Sequence, residues 1–198
     1  MTTVILVRHA ATAWSGVRYL GRADLPLTTE GIEATRRMAA ALAASVPAGV
    51  RIVASPSGRA HATAEIIAEA LGDAPPAIET DARWAEADVG EAEGLTFVEV
   101  EERFPSLARQ LADAETDIDW PAGETGATFH ERIAAGWTAV LAAGSPTIVV
   151  SHAGPIRAAI ALASGRAAAE IPFPTPGEAI RLEIDAGLPV DDRRTTPR

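Results

Sequence analysis

The strongest constraint on the fold of this chain is a series of short apolar runs, separated from one another by segments of helical length. Residues 4–7 (VILV) are continuously apolar and mostly β-branched, which is typical of a strand buried on both faces of a parallel sheet. Similar runs follow at residues 50–54, 77–80 and 147–150. Residues 178–184 alternate apolar and charged side chains, which favours a strand nearer the sheet edge.

The segments between these runs place apolar residues at helical spacing. They predict helices over residues 28–46, 57–71 and 128–143, each followed by a glycine or a proline. Strands that alternate with helices are typical of a doubly wound α/β fold. We therefore expect a three-layer α/β/α sandwich with a mostly parallel central sheet.

The length of 198 residues favours one domain, which we expect to span residues 1–186. The acidic segment at about residues 91–125 does not fit the alternation of strands and helices. We predict a small helical insertion there, lying over the carboxyl ends of the strands, with one helix at about 96–104 before Pro105. Residues 187–198 are polar, contain two prolines and are predicted to be a flexible tail.

Composition excludes several classes of partner and site. The chain has 27 acidic and 17 basic side chains, so its net charge is −10, which argues against nucleic-acid and anionic-membrane partners. It has no cysteine, which excludes thiolate zinc sites, iron–sulfur clusters, disulfides and thiol nucleophiles. The first residues lack a basic lead and contain only a short apolar run, so we expect neither a signal peptide nor a membrane span and a cytoplasmic location.

Reactive side chains follow the predicted strands at the point where each strand ends. Arg8 and His9 come directly after the first strand, and Arg59 follows the second at the start of a helix. Glu86 follows the third strand, and His152 ends the fourth. Because the carboxyl ends of parallel strands open into one crevice, where ligands bind, we expect these five side chains to converge.

The segments that carry these residues resemble the histidine phosphatase superfamily, also called the phosphoglycerate mutase-like family, and within it the phosphatase branch. The matching motifs occur in the family's order and span nearly the whole chain. They are LVRHAAT at 6–12, RYLG at 18–21, PLTTEG at 26–31, SPSGRAHATA at 55–64, EADVGEAEG at 86–94, PAGET at 121–125 and VSHAGPIR at 150–157. The sequence departs from the family at Ala10 and Ala153, where glycine is usual, and at Ser15, where many members have an asparagine that helps to hold phosphate.

The resemblance implies a role for each converging residue. His9 would attack phosphorus and form a phosphohistidine, which water then hydrolyses. Arg8, Arg59 and His152 would surround the phosphoryl oxygens, and Glu86 would protonate the leaving oxygen. Three further residues complete the predicted substrate site: Ser15, Arg18 and the start of the helix at Ala153. No metal ion and no cofactor is expected.

We therefore expect a metal-independent phosphomonoesterase, monomeric or homodimeric, that acts on a small phosphorylated metabolite. Phosphatase is favoured over phosphoglycerate mutase because the chain is close to the minimal domain of the family. Two alternatives stay open: a phosphoglycerate mutase, and an inactive relative that binds phosphorylated ligands. The loop at 18–24 and the insertion would select the substrate. His61 and His130 are interpreted as structural or surface residues, and Trp84, Trp120 and Trp137 as packing residues, of which Trp120 could touch substrate.

Overall fold

The computed structural model describes residues 2–72, 74–113, 115, 117–184 and 192–195. Its strands form one mixed sheet in the order β3-β2-β4-β1-β5-β6. These strands are β1 (Thr2–Arg8), β2 (Arg51–Ala54), β3 (Ile78–Thr80), β4 (Thr147–Ser151), β5 (Ala179–Ile184) and β6 (Asp192–Thr195). The first four are parallel to one another, whereas β5 is antiparallel to both of its neighbours. The predicted strands and the mostly parallel sheet are confirmed.

The helices fill the segments between the strands. They are α1 (Thr29–Ala43), α2 (Gly58–Ala70), α3 (Phe97–Arg103), α4 (Pro105–Ala112), α5 (Gly126–Ala142) and α6 (Ala153–Ser164). Local side chains fix several of their starts: the hydroxyl of Thr28 accepts from the Gly31 amide at α1, and that of Thr125 accepts from the Thr128 amide at α5. Asp24, from the loop before α1, caps α2 by accepting from the Gly58 amide at 2.6 Å.

The two faces of the sheet bury separate apolar clusters. On β1, Ile5 and Val7 pack with residues of α1 and α2 such as Met38 and Ile67. Val4 and Leu6 point to the opposite face, where the cluster includes residues of α5 and α6. Because successive side chains of a strand alternate between faces, the apolar run at 4–7 serves both layers. The three-layer α/β/α sandwich is confirmed.

The insertion packs on the second of these clusters. The helix predicted at 96–104 is α3, and a capping box between Thr96 and Glu99 begins it. Val100 of α3, Leu107 of α4 and Ile118 of the following segment are buried and belong to the same cluster as Trp84. This apolar contact holds the insertion beside the carboxyl ends of the strands.

The predicted flexible tail differs from the structure at Asp192–Thr195, which form β6 and pair with β5. The prediction is wrong for these four residues because the outer edge of β5 offers unpaired backbone donors and acceptors that a polar segment can satisfy. The rest of the predicted tail, at 187–191 and 196–198, lies outside the described residues. In the part of the chain that is described, no helix has the length and apolar character needed to cross a membrane.

Candidate active site

A cavity of about 310 Å³ opens at the carboxyl ends of the strands. Its walls come from the loop after β1, the insertion, the first turns of α5 and α6, and the segment before β5. Backbone hydrogen bonds align the strand ends below it: the His9 amide donates to Ser151 O at 2.9 Å, and the Ser55 amide donates to Val150 O at 2.9 Å. Segments that are distant in sequence therefore supply one site.

His9 lies on the floor of this cavity with only 5% of its surface exposed. Its Nδ1 is 2.7 Å from Ala10 O, and since a carbonyl can only accept, Nδ1 carries the proton. Nε2 then keeps a free electron pair. Burial, aided by the positive charges of Arg59 and Arg8 and opposed by the Ala10 carbonyl, lowers the pKa of His9 to about 3. His9 is therefore neutral at physiological pH, as a nucleophile must be.

His152 lies beside His9, and the two ring centroids are 5.0 Å apart. Its Nδ1 is 3.3 Å from Nη2 of Arg59, and its Nε2 is 2.7 Å from Ser55 Oγ. Because a guanidinium only donates, Nδ1 accepts and the Nε2 proton points to Ser55. Burial, together with the charges of His9, Arg59 and Arg8, holds the pKa of His152 well below its usual value.

Arg59 is 1% exposed, and backbone carbonyls fix its guanidinium. It donates to Ala23 O at 2.7 Å and to Gly21 O at 2.8 Å. The carboxylate of Glu93 holds the other side of this loop by accepting from the amides of Gly21, Arg22 and Ala23 at 2.8–3.1 Å. The loop thus lies between a cation that contacts its carbonyls and an anion that contacts its amides.

Arg8 lines the cavity and donates to Pro174 O at 2.6 Å. The Nε atoms of Arg8 and Arg59 are both buried and have no hydrogen-bond partner among the described residues. Burial lowers the pKa of both side chains while nearby Glu86 raises it, and an arginine stays charged in a protein even so. Two buried, positively charged donors near a neutral imidazole are suited to bind an anion with several oxygens.

Glu86 forms part of the cavity wall at the start of α6. Its Oε1 accepts from the Ala87 amide at 3.0 Å, and the Gly154 amide also donates to the carboxyl group. Burial raises the pKa of Glu86 despite these hydrogen bonds and the positive charges of Arg59 and Arg8. A carboxyl group with a raised pKa can hold a proton near neutral pH and release it to a leaving group.

The remaining predicted residues also reach the cavity wall. Ala153 is the first residue of α6, and its backbone lies where helix amides point to the site. Ser15 Oγ accepts from the Thr12 amide at 2.9 Å, which leaves its hydroxyl proton able to donate. Arg18 lies at the mouth, but its guanidinium donates to Gly94 O at 2.6 Å and to Glu99 at 3.3 Å. Its predicted contact with phosphate stays a prediction.

Sequence reasoning missed the residue that holds the backbone of Glu86. Arg132 of α5 donates to three carbonyls of this segment, those of Arg83, Ala85 and Glu86, at 2.7–3.2 Å. A bidentate pair with Glu124, at 2.6 and 2.8 Å, fixes its guanidinium. The PAGET motif was the only available signal, and it marked Glu124 without its partner.

Two other cavity residues were also unassigned or misplaced. Arg157 of α6 lines the cavity and donates to the carbonyls of Ala168 and Ile171. His130, interpreted from sequence as a structural or surface residue, lines the cavity as well. Its place in a helix gave no indication of this, because the insertion that encloses the cavity folds over α5 only in the tertiary structure. Trp84 and Trp137 are buried in the core as expected.

Comparison with known proteins agrees with this geometry. A family model described as histidine phosphatase superfamily (branch 1) matches residues 4–188. A protein of Klebsiella pneumoniae named probable phosphoglycerate mutase GpmB is 35% identical over 155 residues, which are 77% of this chain and 70% of that protein.

Solved structures share the fold over nearly the full length. Bacillus stearothermophilus YhfR superposes with a TM-score of 0.83 at 27% identity, covering 94% of this chain and 93% of that one. A mycobacterial glucosyl-3-phosphoglycerate phosphatase in complex with VO3 superposes with a TM-score of 0.83 at 22% identity, covering 98% and 97%. The chain belongs to the histidine phosphatase superfamily.

Proposed function

We propose that this protein is a metal-independent phosphomonoesterase that works through a phosphohistidine on His9. The observation that carries the proposal is the state of His9: a buried, neutral imidazole with its proton on Nδ1, next to two arginines whose Nε donors are buried and without partners among the described residues. A neutral nitrogen nucleophile beside fixed positive charge suits attack on a phosphate ester.

In the first step, the Nε2 electron pair of His9 forms a bond to phosphorus, and the bond from phosphorus to the ester oxygen breaks. Glu86 gives its proton to that oxygen, and the alcohol leaves. Arg8 and Arg59 balance the charge on the phosphoryl oxygens, and each such contact is worth about 4 kcal/mol at 4 Å with an effective dielectric constant near 20, before desolvation is subtracted. These charges are the reason that we expect no need for a metal ion.

In the second step, Glu86 is a carboxylate and takes a proton from an attacking water molecule. The water oxygen bonds to phosphorus, the bond from phosphorus to Nε2 breaks, and inorganic phosphate leaves. Glu86 ends protonated and His9 ends neutral, so the site returns to its starting state. The raised pKa of Glu86 suits both halves of this cycle, because it lets the group exist in either form near neutral pH.

A rapid-quench experiment with a ³²P-labelled phosphate ester tests the proposal. We expect an acid-labile, base-stable phosphoenzyme in the wild-type protein and none in His9→Ala, together with loss of phosphate release. His61→Ala is the matched control, since this second histidine does not line the cavity and its Nε2 is 2.9 Å from Thr80 Oγ1. Full phosphate release by His9→Ala would refute the role of His9.

A phosphoglycerate mutase is the second candidate, favoured by the relatives at about 35% identity that carry that name. Incubation with 3-phosphoglycerate and a bisphosphoglycerate primer separates the two activities. We expect release of inorganic phosphate and no isomerisation, because the mutase must protect its phosphoenzyme from water. A labelled phosphoenzyme of either kind would also exclude the inactive, ligand-binding relative.

A further inference from the structure

The walls of the cavity above the floor are apolar. The described residues that face it include four aromatic side chains beyond the histidines and Tyr19, and several aliphatic ones. They are Trp14, Leu20, Val89, Leu111, Ile118, Trp120, Phe129 and Phe173. Tyr19 and Trp120 meet edge to face with their ring centroids 5.8 Å apart. The part of a substrate that extends away from the phosphate would therefore contact hydrocarbon on most sides.

The other cations of the wall are already engaged. Arg18 donates to Gly94 O and pairs with Glu99 at the mouth. Arg157 donates to two carbonyls and stacks over the Phe173 ring, with 3.9 Å between its Cζ and the ring centroid. These are the only arginines besides Arg8 that the described residues contribute to the wall. A second anionic group on the substrate would have to break one of these arrangements.

The wall also carries negative charge. Glu115 of the insertion lines the cavity together with Glu86. Moving an unpaired carboxylate into an apolar pocket is costly, and a like charge nearby adds to that cost. A leaving group with a carboxylate or a second phosphate is therefore disfavoured, whereas an uncharged hydrocarbon group gains from leaving water.

On the basis of the proposed function, we infer that the preferred substrates are phosphomonoesters of apolar alcohols, aliphatic or aromatic, without a second anionic group. The insertion selects them through Leu111, Ile118 and Trp120. A cavity of about 310 Å³ is at the lower end of small-molecule sites, so it suits a compact apolar group.

A series of straight-chain alkyl phosphates, from methyl to hexyl, tests this inference because their leaving groups are nearly equal in basicity. We expect kcat/KM to rise about fourfold for each added methylene until the cavity is filled. A terminal carboxylate on the longer esters is expected to lower kcat/KM by about tenfold or more. A flat or falling dependence on chain length, or a preference for the carboxylated esters, would overturn the inference.

Variants of the insertion locate the effect. Trp120→Ala removes a wall residue and is expected to reduce the gain per methylene. Phe97→Ala is the matched control: it truncates an aromatic residue of the same insertion that is 42% exposed and does not line the cavity, and it should keep the gain. Equal slopes in the Trp120→Ala variant, the Phe97→Ala variant and the wild type would show that the wall does not select the substrate.

Failure of this inference is distinguishable from failure of the proposed function. Hydrolysis of methyl phosphate through a phosphoenzyme, without any effect of chain length, contradicts only the inference. Absence of hydrolysis for every ester contradicts the proposed function. In that case calorimetric titration of the His9→Ala variant with methyl and hexyl phosphate decides the inference, which requires tighter binding of hexyl phosphate.

Discussion

Arg132 is expected to be a positioning residue that keeps Glu86 in place. It makes five hydrogen bonds, two to the carboxylate of Glu124 and three to the carbonyls of Arg83, Ala85 and Glu86. Its side chain is 15% exposed and that of Glu124 is 8% exposed. Removing one partner of a buried ion pair costs about 3–5 kcal/mol, because the other charge is left uncompensated.

The more informative change is Arg132→Lys, which keeps the charge but cannot make the bidentate pair and the carbonyl contacts together. A displacement of about 1 Å in a catalytic group can cost about 100-fold in rate. We expect kcat for an alkyl phosphate to fall by about 10–100-fold, because its departure requires the proton of Glu86. Turnover of 4-nitrophenyl phosphate should change little, since its leaving group needs no proton.

Steady-state kinetics with both esters, beside urea unfolding, measure these effects. Arg51→Lys is the matched control, because Arg51 makes a similar bidentate pair with Glu79 on β2 and β3, away from the cavity, and should leave both rates unchanged. Equal slowing of the two esters in Arg132→Lys would refute selective positioning of Glu86. Unchanged kinetics would show that the backbone of Glu86 keeps its place without Arg132.

Three further perturbations test the site. In Glu86→Gln, kcat for alkyl phosphates should fall about 10²–10⁴-fold, and the decline in kcat with rising pH, expected from the raised pKa of Glu86, should disappear; a pH–rate profile measures both. In His152→Asn, unfolding free energy should drop by about 2 kcal/mol less than in the wild type between pH 7 and 5, as followed by urea titration. The reason is that His152, whose pKa is lowered in the folded protein, takes up a proton near pH 6.5 only when unfolded, so its contribution to stability is present above that pH and lost below it. In Gly154→Ala, a Cβ would lie 2.7 Å from Glu86 Oε1, so the carboxyl group must move and alkyl phosphate turnover should fall while thermal unfolding is nearly unchanged.

Much of the fold and of the cavity floor was predictable because the signals are local. The run at 4–7 alternates between two buried faces, and a reactive pair follows it directly at Arg8 and His9. His152 likewise comes at once after β4. Parallel strands bring such ends together whatever the intervening sequence, so convergence follows from strand assignment alone.

The protonation and support of these residues depend on contacts between distant segments. The proton of His152 lies on Nε2 because Arg59, 93 residues away, contacts Nδ1. Arg132 holds the backbone of Glu86 across 46 residues of sequence. No periodicity or spacing encodes such pairs.

The sequence by itself determined the layers of the sandwich, the strand ends and the residues placed on them, because those depend on side-chain periodicity and chain direction. Only the tertiary structure decided what surrounds a ligand, since loops, insertion and helices that are distant in sequence form one apolar wall. It also decided the fate of the polar end of the chain, where Asp192–Thr195 form β6. Backbone pairing at a sheet edge needs no apolar pattern, so composition alone did not reveal it.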